Sequence, residues 1–265
     1  MVRQISRRAR RFRGPGVRSL LTLALLCSGL TTFVGLDLTS AGAANTPISS
    51  FVDSPNAIAF DGTNLWVVSS STNSVSELSA SGAFIQSVPV GAAPVAVAAD
   101  GAHIWVANSG SPTSSGSVTE INPDGTVATT IDLSFFGQPT AISSDGTDVW
   151  VTTNQGYVAE IDVAGGTLAN VIGFGNDLTA ISSDGANVWV VDSQDGDVGD
   201  FNIALDNFVS STSVGADPTG VFSDGQYIWI TNSGDGTVTV LNASDGSYAF
   251  NTGSSPIPEI GRAHV

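Results

Sequence analysis

Carboxylates are almost the only side chains in this sequence that could perform acid–base or metal chemistry. The chain has 265 residues with 24 Asp and Glu, of which only Asp37 and Glu259 lie outside residues 45–258. That stretch therefore holds 22 carboxylates, and it contains no Lys, Arg, Cys or Met and a single histidine, His103. A cysteine nucleophile is excluded there, and any Ser–His–Asp triad would depend on His103. Because His103 follows an Asp-Gly pair, we expect it to be a solvated turn residue.

The charge balance limits the partners of this stretch. A surface with 22 carboxylates and no Lys or Arg repels the phosphates of nucleic acids and anionic lipid surfaces. Since no internal Lys or Arg salt bridge exists, each carboxylate must face solvent, accept hydrogen bonds or hold a cation. Without cysteine no disulfide is available, so a sizeable core must supply the stability.

The densest group of carboxylates lies in the segment DSQDGDVGD, residues 192–200. Asp192, Asp195 and Asp197 offer oxygen ligands at close spacing around a glycine, which a hard cation such as Ca²⁺ needs. The segment lacks the later bidentate Glu of an EF-hand loop, and the corresponding segment NSGDGT is typical of an ordinary loop between strands. Two alternatives stay open: a site for a divalent cation, Ca²⁺ or Mg²⁺, or a solvated loop.

Two other sets of carboxylates recur along the chain, and we predict that neither binds a ligand. Members of the first set precede a glycine and form turns: Asp61, Asp100, Asp145, Asp184 and Asp224. Members of the second set follow the pattern V-x-[ED]: Glu77, Glu120, Glu160 and Asp200. One carboxylate per unit is too widely spaced for a Ca²⁺ shell of about 2.3–2.6 Å, so we expect solvated or hydroxyl-paired residues.

One recurring motif, exemplified by SSDGTDVWVTTN, contains every Trp of the chain and predicts the elements that position these side chains. The five Trp are 39, 45, 39 and 40 residues apart: Trp66, Trp105, Trp150, Trp189 and Trp229. Each unit predicts four short strands, such as TAISS, DVWVTT, YVAEI and LANVIG. The Asp-Gly pair favours a tight hairpin between the first two strands. No segment has a 3.6-residue apolar period, so we expect almost no helix.

The second strand of each unit is apolar on both faces, because Val149 and Val151 point to one side and Trp150 to the other. Such a strand must be covered on both sides, and four-stranded units repeated radially meet that demand. We therefore predict an all-β β-propeller with five blades present; a two-sheet sandwich is the alternative that the Trp period disfavours. The predicted blades are residues 52–90, 91–136, 137–174, 175–214 and 215–252, followed by the start of a sixth at residue 253.

The first and last residues do not belong to this pattern. Residues 1–44 combine an Arg-rich start, an apolar run and small residues at the end, which predicts a bacterial-type secretory signal peptide. An uncleaved membrane anchor is the alternative. The tail, residues 259–265 (EIGRAHV), matches the translation of a widely used sequencing adapter, so we expect it to be adapter read-through. We expect the intact protein to continue to six or seven blades.

The motif PxAI–DG–VWVxN followed by GxVxxIN resembles the repeat of YVTN- and NHL-type propellers, including the virginiamycin B lyase-like family, over residues 45–258. The resemblance implies the fold and leaves function open, because such repeats serve enzymes, binding domains and scaffolds. The lyases use His and Glu acid–base groups with Mg²⁺. The later units of this chain carry no matching His, which departs from that pattern.

Family geometry places the loops between second and third strands, and the connectors between blades, on one face of the ring. The candidate ligand-binding residues there are Asn108, Asn154, Asp217 and Asn232. We expect the connector aromatics Phe135 and Phe136 to plug a blade interface. The leading hypothesis is a secreted, non-enzymatic, monomeric domain that binds a protein, glycan or small molecule. The alternatives are a lyase-like metal-dependent enzyme with catalytic residues in further C-terminal blades, and a structural cell-surface array.

Overall fold

The computed structural model describes residues 52–111, 115–205 and 207–249, and within them the chain is all-β. These residues form 19 strands and one turn of 3-10 helix, Ile203–Leu205, which confirms the prediction of an all-β fold with almost no helix. No helix in the described ranges is long and apolar enough to cross a membrane. The predicted signal peptide, the start of the sixth unit and the tail lie outside the described residues.

The strands form separate antiparallel sheets, each following the chain order. Sheet 1 consists of β1 Pro55–Phe60, β2 Asn64–Ser69, β3 Ser74–Ser79 and β4 Phe84–Pro89. Sheet 2 consists of β5 Pro94–Ala99, β6 Ile104–Asn108, β7 Ser117–Ile121 and β8 Val127–Asp132. Sheet 3 consists of β9 Pro139–Ser144, β10 Asp148–Thr153, β11 Tyr157–Asp162 and β12 Thr167–Gly173.

Sheet 4 consists of β13 Leu178–Ser183, β14 Asn187–Asp192, β15 Asp197–Asn202 and β16 Asn207–Ser213. Sheet 5 has three strands, β17 Pro218–Ser223, β18 Tyr227–Asn232 and β19 Thr237–Asn242, and a single bridge from Leu241 to Tyr248. Five separate sheets exclude the two-sheet sandwich. Each sheet lies inside one of the residue ranges proposed from the sequence.

The Asp-Gly pair builds the first hairpin of every sheet in the same way. In sheet 1, Oδ1 of Asp61 accepts the backbone N–H groups of Thr63 and Asn64, both at 2.7 Å, and Gly62 adopts a φ of 98°. The second oxygen, Oδ2, accepts the indole N–H of Trp66 at 2.6 Å. The same bond recurs in the other sheets at 2.8–3.2 Å: Trp105 to Asp100, Trp150 to Asp145, Trp189 to Asp184 and Trp229 to Asp224. The turn role of these aspartates is confirmed, and each also fixes a Trp.

Consecutive sheets pack face to face, and an apolar core lies between each pair. Between sheets 1 and 2, Trp66 and Val68 pack against Ile104 and Val106. The equivalent residues form the other three cores. The first strands lie side by side in the order β1, β5, β9, β13 and β17. This arrangement is consistent with a propeller-like fold, although β1 and β17 do not pack together as consecutive first strands do.

Candidate functional site

One end of the molecule, which we call the connector face, is formed by the loops between second and third strands and by the connectors that lead into each sheet. A backbone N–H at the start of a loop donates to a connector carbonyl in four of the sheets, at 2.9–3.0 Å: Ser109 to Ala93, Asn154 to Gln138, Ser193 to Asp177 and Ser233 to Asp217. The structure thus brings loops and connectors together, as family geometry led us to expect. These bonds hold the connector face in a defined shape.

Asn154 is exposed on the connector face, and both atoms of its amide bind the preceding connector. Oδ1 accepts the backbone N–H of Gln138 at 2.9 Å, and Nδ2 donates to Oε1 of the same residue at 3.3 Å. The predicted ligand-binding residue therefore orders the connector in the described conformation.

Asn108 and Asn232 occupy equivalent positions at the ends of β6 and β18 and are buried, with exposed fractions of 0% and 2%. Nδ2 of Asn108 donates to Oγ1 of Thr119 at 3.0 Å, and Nδ2 of Asn232 donates to Oγ1 of Thr239 at 3.0 Å. The connector passes directly over each amide, because a Cβ atom on Gly91 would lie 2.6 Å from Cγ of Asn108. Each Oδ1 is buried without a hydrogen-bond partner among the described atoms. These two amides lie beneath the connector face.

Asp217 lies in the connector before sheet 5 and is exposed. Its backbone has a φ of 47°, the left-handed region that Asp tolerates better than most residues. Its carbonyl accepts both the N–H and the hydroxyl of Ser233 at 2.9 Å. The backbone of Asp217 thus shapes the connector, and its side chain belongs to the accessible surface.

The three aspartates of the predicted cation site differ in their burial and in their hydrogen bonds within sheet 4. Asp192 is fully buried; Oδ1 accepts the N–H groups of Gln194 and Asp195 at 2.9 and 3.1 Å, and Oδ2 accepts the N–H of Asn176 at 2.7 Å. Burial raises the pKa of Asp197, a hydrogen bond from Ser211 opposes the rise, and the nearby carboxylates add to it.

The geometry of this loop bears on the cation hypothesis. Both oxygens of Asp192 already accept backbone N–H groups, and Oδ2 of Asp195 accepts the amide of Asn176 at 3.1 Å. Within the described ranges, no three His, Cys, Asp or Glu side chains are arranged to hold a metal ion. This arrangement does not fit a three-carboxylate site for Ca²⁺ or Mg²⁺.

The two aromatic residues of the connector before sheet 3 behave differently. The ring of Phe136 packs edge-on against Tyr157, with 5.7 Å between centroids, and against the core between sheets 2 and 3. Phe135 is 88% exposed. The plug interpretation is confirmed for Phe136 and wrong for Phe135, whose ring projects from the connector face.

The third-strand carboxylates were expected to be solvated or paired with hydroxyls, and three of them are instead buried: Glu77, Glu120 and Asp200. Glu77 is paired with amides, since Asn64 Nδ2 donates to Oε1 at 2.6 Å and Gln86 Nε2 donates to Oε2 at 2.7 Å. The sequence interpretation missed these contacts. The signal for them in sheet 1 was Asn64 at the start of β2, two residues before the Trp that pairs with the carboxylate, which places the amide on the same face of the sheet as Glu77.

His103 takes the place of Asn64 in sheet 2. Its Nδ1 lies 3.3 Å from Oδ2 of Asp100, and its Nε2 lies 3.7 Å from Oε1 of Glu120. Burial raises the pKa of Glu120, the nearby His103 lowers it, and Asp100 raises it further. His103 therefore lies in the first hairpin of sheet 2, at the end of the molecule opposite the connector face.

Asp200 is the buried carboxylate with an oxygen that lacks a hydrogen-bond partner. Its Oδ1 has no hydrogen-bond partner among the described atoms, and Asn187, at the equivalent of Asn64, pairs instead with Asn202 at 3.0 Å. Burial, with a smaller contribution from the charge of Asp184, raises the pKa of Asp200 to about 6.

No protein-family model matches the chain, and the search of curated proteins finds no match. Solved structures do match. One is hydrazine synthase from Kuenenia stuttgartiensis, with 20% sequence identity and a TM-score of 0.56 over 81% of this chain and 71% of that chain. At this identity the likeness shows the fold alone. The resemblance to YVTN and NHL repeats gains no support from a family model.

Proposed function

We propose that the chain is a secreted, non-enzymatic β-propeller domain that binds a protein, glycan or small molecule through its connector face. Five sheets that pack in sequence, with one Trp fixed by an Asp in each of the four cores between them, support the propeller. The proposed sixth or seventh blade would cover faces that remain open in the described part. Export follows from the sequence pattern of residues 1–44.

The observation that carries the binding proposal is the exposed ring of Phe135 on an ordered surface. Loops and connectors are joined by backbone hydrogen bonds and by the amide of Asn154, so the connector face needs little ordering on binding. Phe135 is 88% exposed, more than any other large apolar side chain in the described ranges. Aromatic anchors on preorganised surfaces commonly dominate binding energy.

A panel of glycans and peptides, immobilised and probed with the purified protein by interferometry, tests this proposal. We expect Phe135→Ser to weaken binding of any positive probe about tenfold or more, which corresponds to about 1.4 kcal/mol. The matched control is Leu205→Ser, because Leu205 is 67% exposed in the turn before β16, at the opposite end. Equal affinity of both variants and the unmodified chain would contradict a binding role for the connector face.

A further inference from the structure

The exposed ring of Phe135 and an exposed carboxylate, Asp132, are presented by one ordered segment of the connector face. The backbone N–H of Phe136 donates to the carbonyl of Leu133 at 2.9 Å and closes a turn around the ring. Oδ1 of Asp132 accepts the N–H of Ser134 at 2.9 Å, and Oδ2 accepts the hydroxyl of the same residue at 3.0 Å. An aromatic ring and a carboxylate are therefore fixed three positions apart on the same surface.

Sheets 4 and 5 carry two more exposed carboxylates each on the connector face, at repeated positions. Asp177 and Asp217 directly precede the first strands of these sheets. Asp195 and Asp235 lie in the loops between second and third strands. In sheet 5 the loop carboxylate is held to the connector, because Oδ2 of Asp235 accepts the N–H of Ala216 at 3.0 Å. The carboxylates of this face thus form a repeated arrangement that follows the order of the sheets.

Hydrogen-bond acceptors at this end of the molecule lack donors. Oδ1 of Asn232, buried beneath the connector of sheet 5, has no partner among the described atoms, and a Cβ atom on Gly215 would lie 2.6 Å from Cγ of that amide. Oδ1 of the partly buried Asp197, at the start of β15, has no partner there either. The described connector face has no Lys or Arg, because residues 45–258 contain none. A complementary ligand brings donors and positive charge.

Among the cationic groups of proteins, the guanidinium of arginine fits this combination best. It stacks on aromatic rings, pairs with a carboxylate through two parallel N–H bonds and is less strongly hydrated than an ammonium group. Phe135 and Asp132 offer a ring and a carboxylate on one segment, which suits both contacts. Nucleic acids do not fit, because their phosphates are repelled by the same carboxylates.

We propose that the connector face binds an arginine-rich segment of a partner protein, with one guanidinium at Phe135 and Asp132 and others at the carboxylates of sheets 4 and 5. This inference rests on the proposed binding function of the connector face and names the chemistry of its ligand. Because Asp177 and Asp217 occupy equal positions in consecutive sheets, successive arginines of an extended segment meet similar surroundings. Backbone hydrogen bonds already order the face, so binding has to order only the segment.

Salt separates the two kinds of contact in this complex. The attraction between exposed carboxylates and guanidinium groups is screened, since the Debye length falls from about 10 Å at about 0.1 M salt to about 3 Å at about 1 M. The contact of a guanidinium with the ring of Phe135 acts at short range and is less sensitive to salt. Added NaCl therefore weakens binding, and Phe135 contributes at both low and high salt.

Fluorescence anisotropy of fluorescein-labelled nona-arginine, titrated with the full chain at low and high NaCl, tests the proposal. We expect binding that NaCl weakens, and Phe135→Ser should lower the affinity about threefold or more at both salt concentrations. Asp177→Asn combined with Asp217→Asn should lower it about tenfold at low salt. Nona-lysine should bind about threefold or more weakly than nona-arginine, because its ammonium groups do not pair bidentately.

The matched control is Asp124→Asn combined with Asp245→Asn. It removes the same charge from exposed turns between third and fourth strands, at the end opposite the connector face. This control should change the affinity less than about twofold, because salt screens charges at that distance. Circular dichroism confirms that each variant is folded. The proposal is overturned if the control weakens binding as much as the Asp177 and Asp217 pair does, if Phe135→Ser has no effect, or if nona-lysine binds equally well.

The outcomes also separate this inference from the proposed function. If a neutral glycan binds and loses affinity in Phe135→Ser while nona-arginine does not bind, the connector face has a ligand of another class and only this inference fails. If Phe135→Ser changes the binding of neither basic nor neutral probes, both the inference and the proposed function fail.

Discussion

Glu77 of sheet 1 and Asp200 of sheet 4 occupy the same place, opposite a Trp in the central hairpin, yet their surroundings are opposite in character. Glu77 accepts two short hydrogen bonds from amides, so both of its oxygens have partners in spite of burial. Asp200 is equally buried with one oxygen unpartnered, and its pKa is raised to about 6. A repeated position therefore fixes where a carboxylate lies, while the neighbouring side chains decide whether its charge stabilises the fold.

Removing the paired carboxylate should have the largest effect. Glu77→Ala leaves the amides of Asn64 and Gln86 without their acceptor in a partly buried place, which costs about 2–3 kcal/mol of unfolding free energy. Urea unfolding followed by fluorescence measures the loss. Ser87→Ala, an exposed change beside Gln86 on β4, is the control and should stay within about 0.5 kcal/mol of the unmodified protein. A loss no larger than that of the control would contradict the pairing.

Neutralising the unpaired carboxylate should have a smaller effect of opposite sign. In the unfolded chain Asp200 ionises near a pKa of 3.8, and in the folded protein near a pKa of about 6. Between these values the unfolded state loses its proton first, so Asp200 lowers stability as pH rises from about 4 to 6, and the penalty is complete at neutral pH. Asp200→Asn should therefore stabilise the protein at pH 7 by about 1–2 kcal/mol.

The test compares the stability of Asp200→Asn with that of the unmodified protein as pH changes. Unfolding free energies at several pH values should coincide for Asp200→Asn and the unmodified chain near pH 3.5 and separate as the carboxyl ionises. Asp124→Asn is the control, because hydrogen bonds from Thr126 lower the pKa of Asp124 and any separation should have the opposite sign. A variant that is less stable than the unmodified protein at pH 7 would show that Asp200 is compensated after all.

Replacing the histidine of sheet 2 should have the smallest effect and would make sheet 2 resemble sheet 1. His103→Asn removes the group that lowers the pKa of Glu120, so burial and Asp100 should raise that pKa further. NMR titration of the Glu120 carboxyl measures the change, and the stability at pH 7 should shift by less than about 1 kcal/mol. An unchanged or lower pKa of Glu120 would mean that the introduced amide pairs with it as Asn64 does with Glu77.

The sequence predicted the hairpins well because their cause is local. Asp61 and Gly62 fix a turn through residues three positions away, and Trp66 is reached five positions away. The candidate site is formed by contacts between residues that are distant along the chain, and a single sequence does not predict such contacts. Asn154 meets Gln138 across 16 positions. Phe135 and Phe136 are adjacent in sequence, and only the path of the connector decides which ring is buried.

The four cores between consecutive sheets have a consequence for how the molecule unfolds. Each core is shared by two neighbouring sheets only, so the energetics approach those of a linear array with nearest-neighbour coupling. Within the described residues, sheet 3 shares one core with sheet 2 and another with sheet 4. Opening sheet 3 therefore disrupts two cores at once, so we expect its backbone amides to be strongly protected from hydrogen exchange.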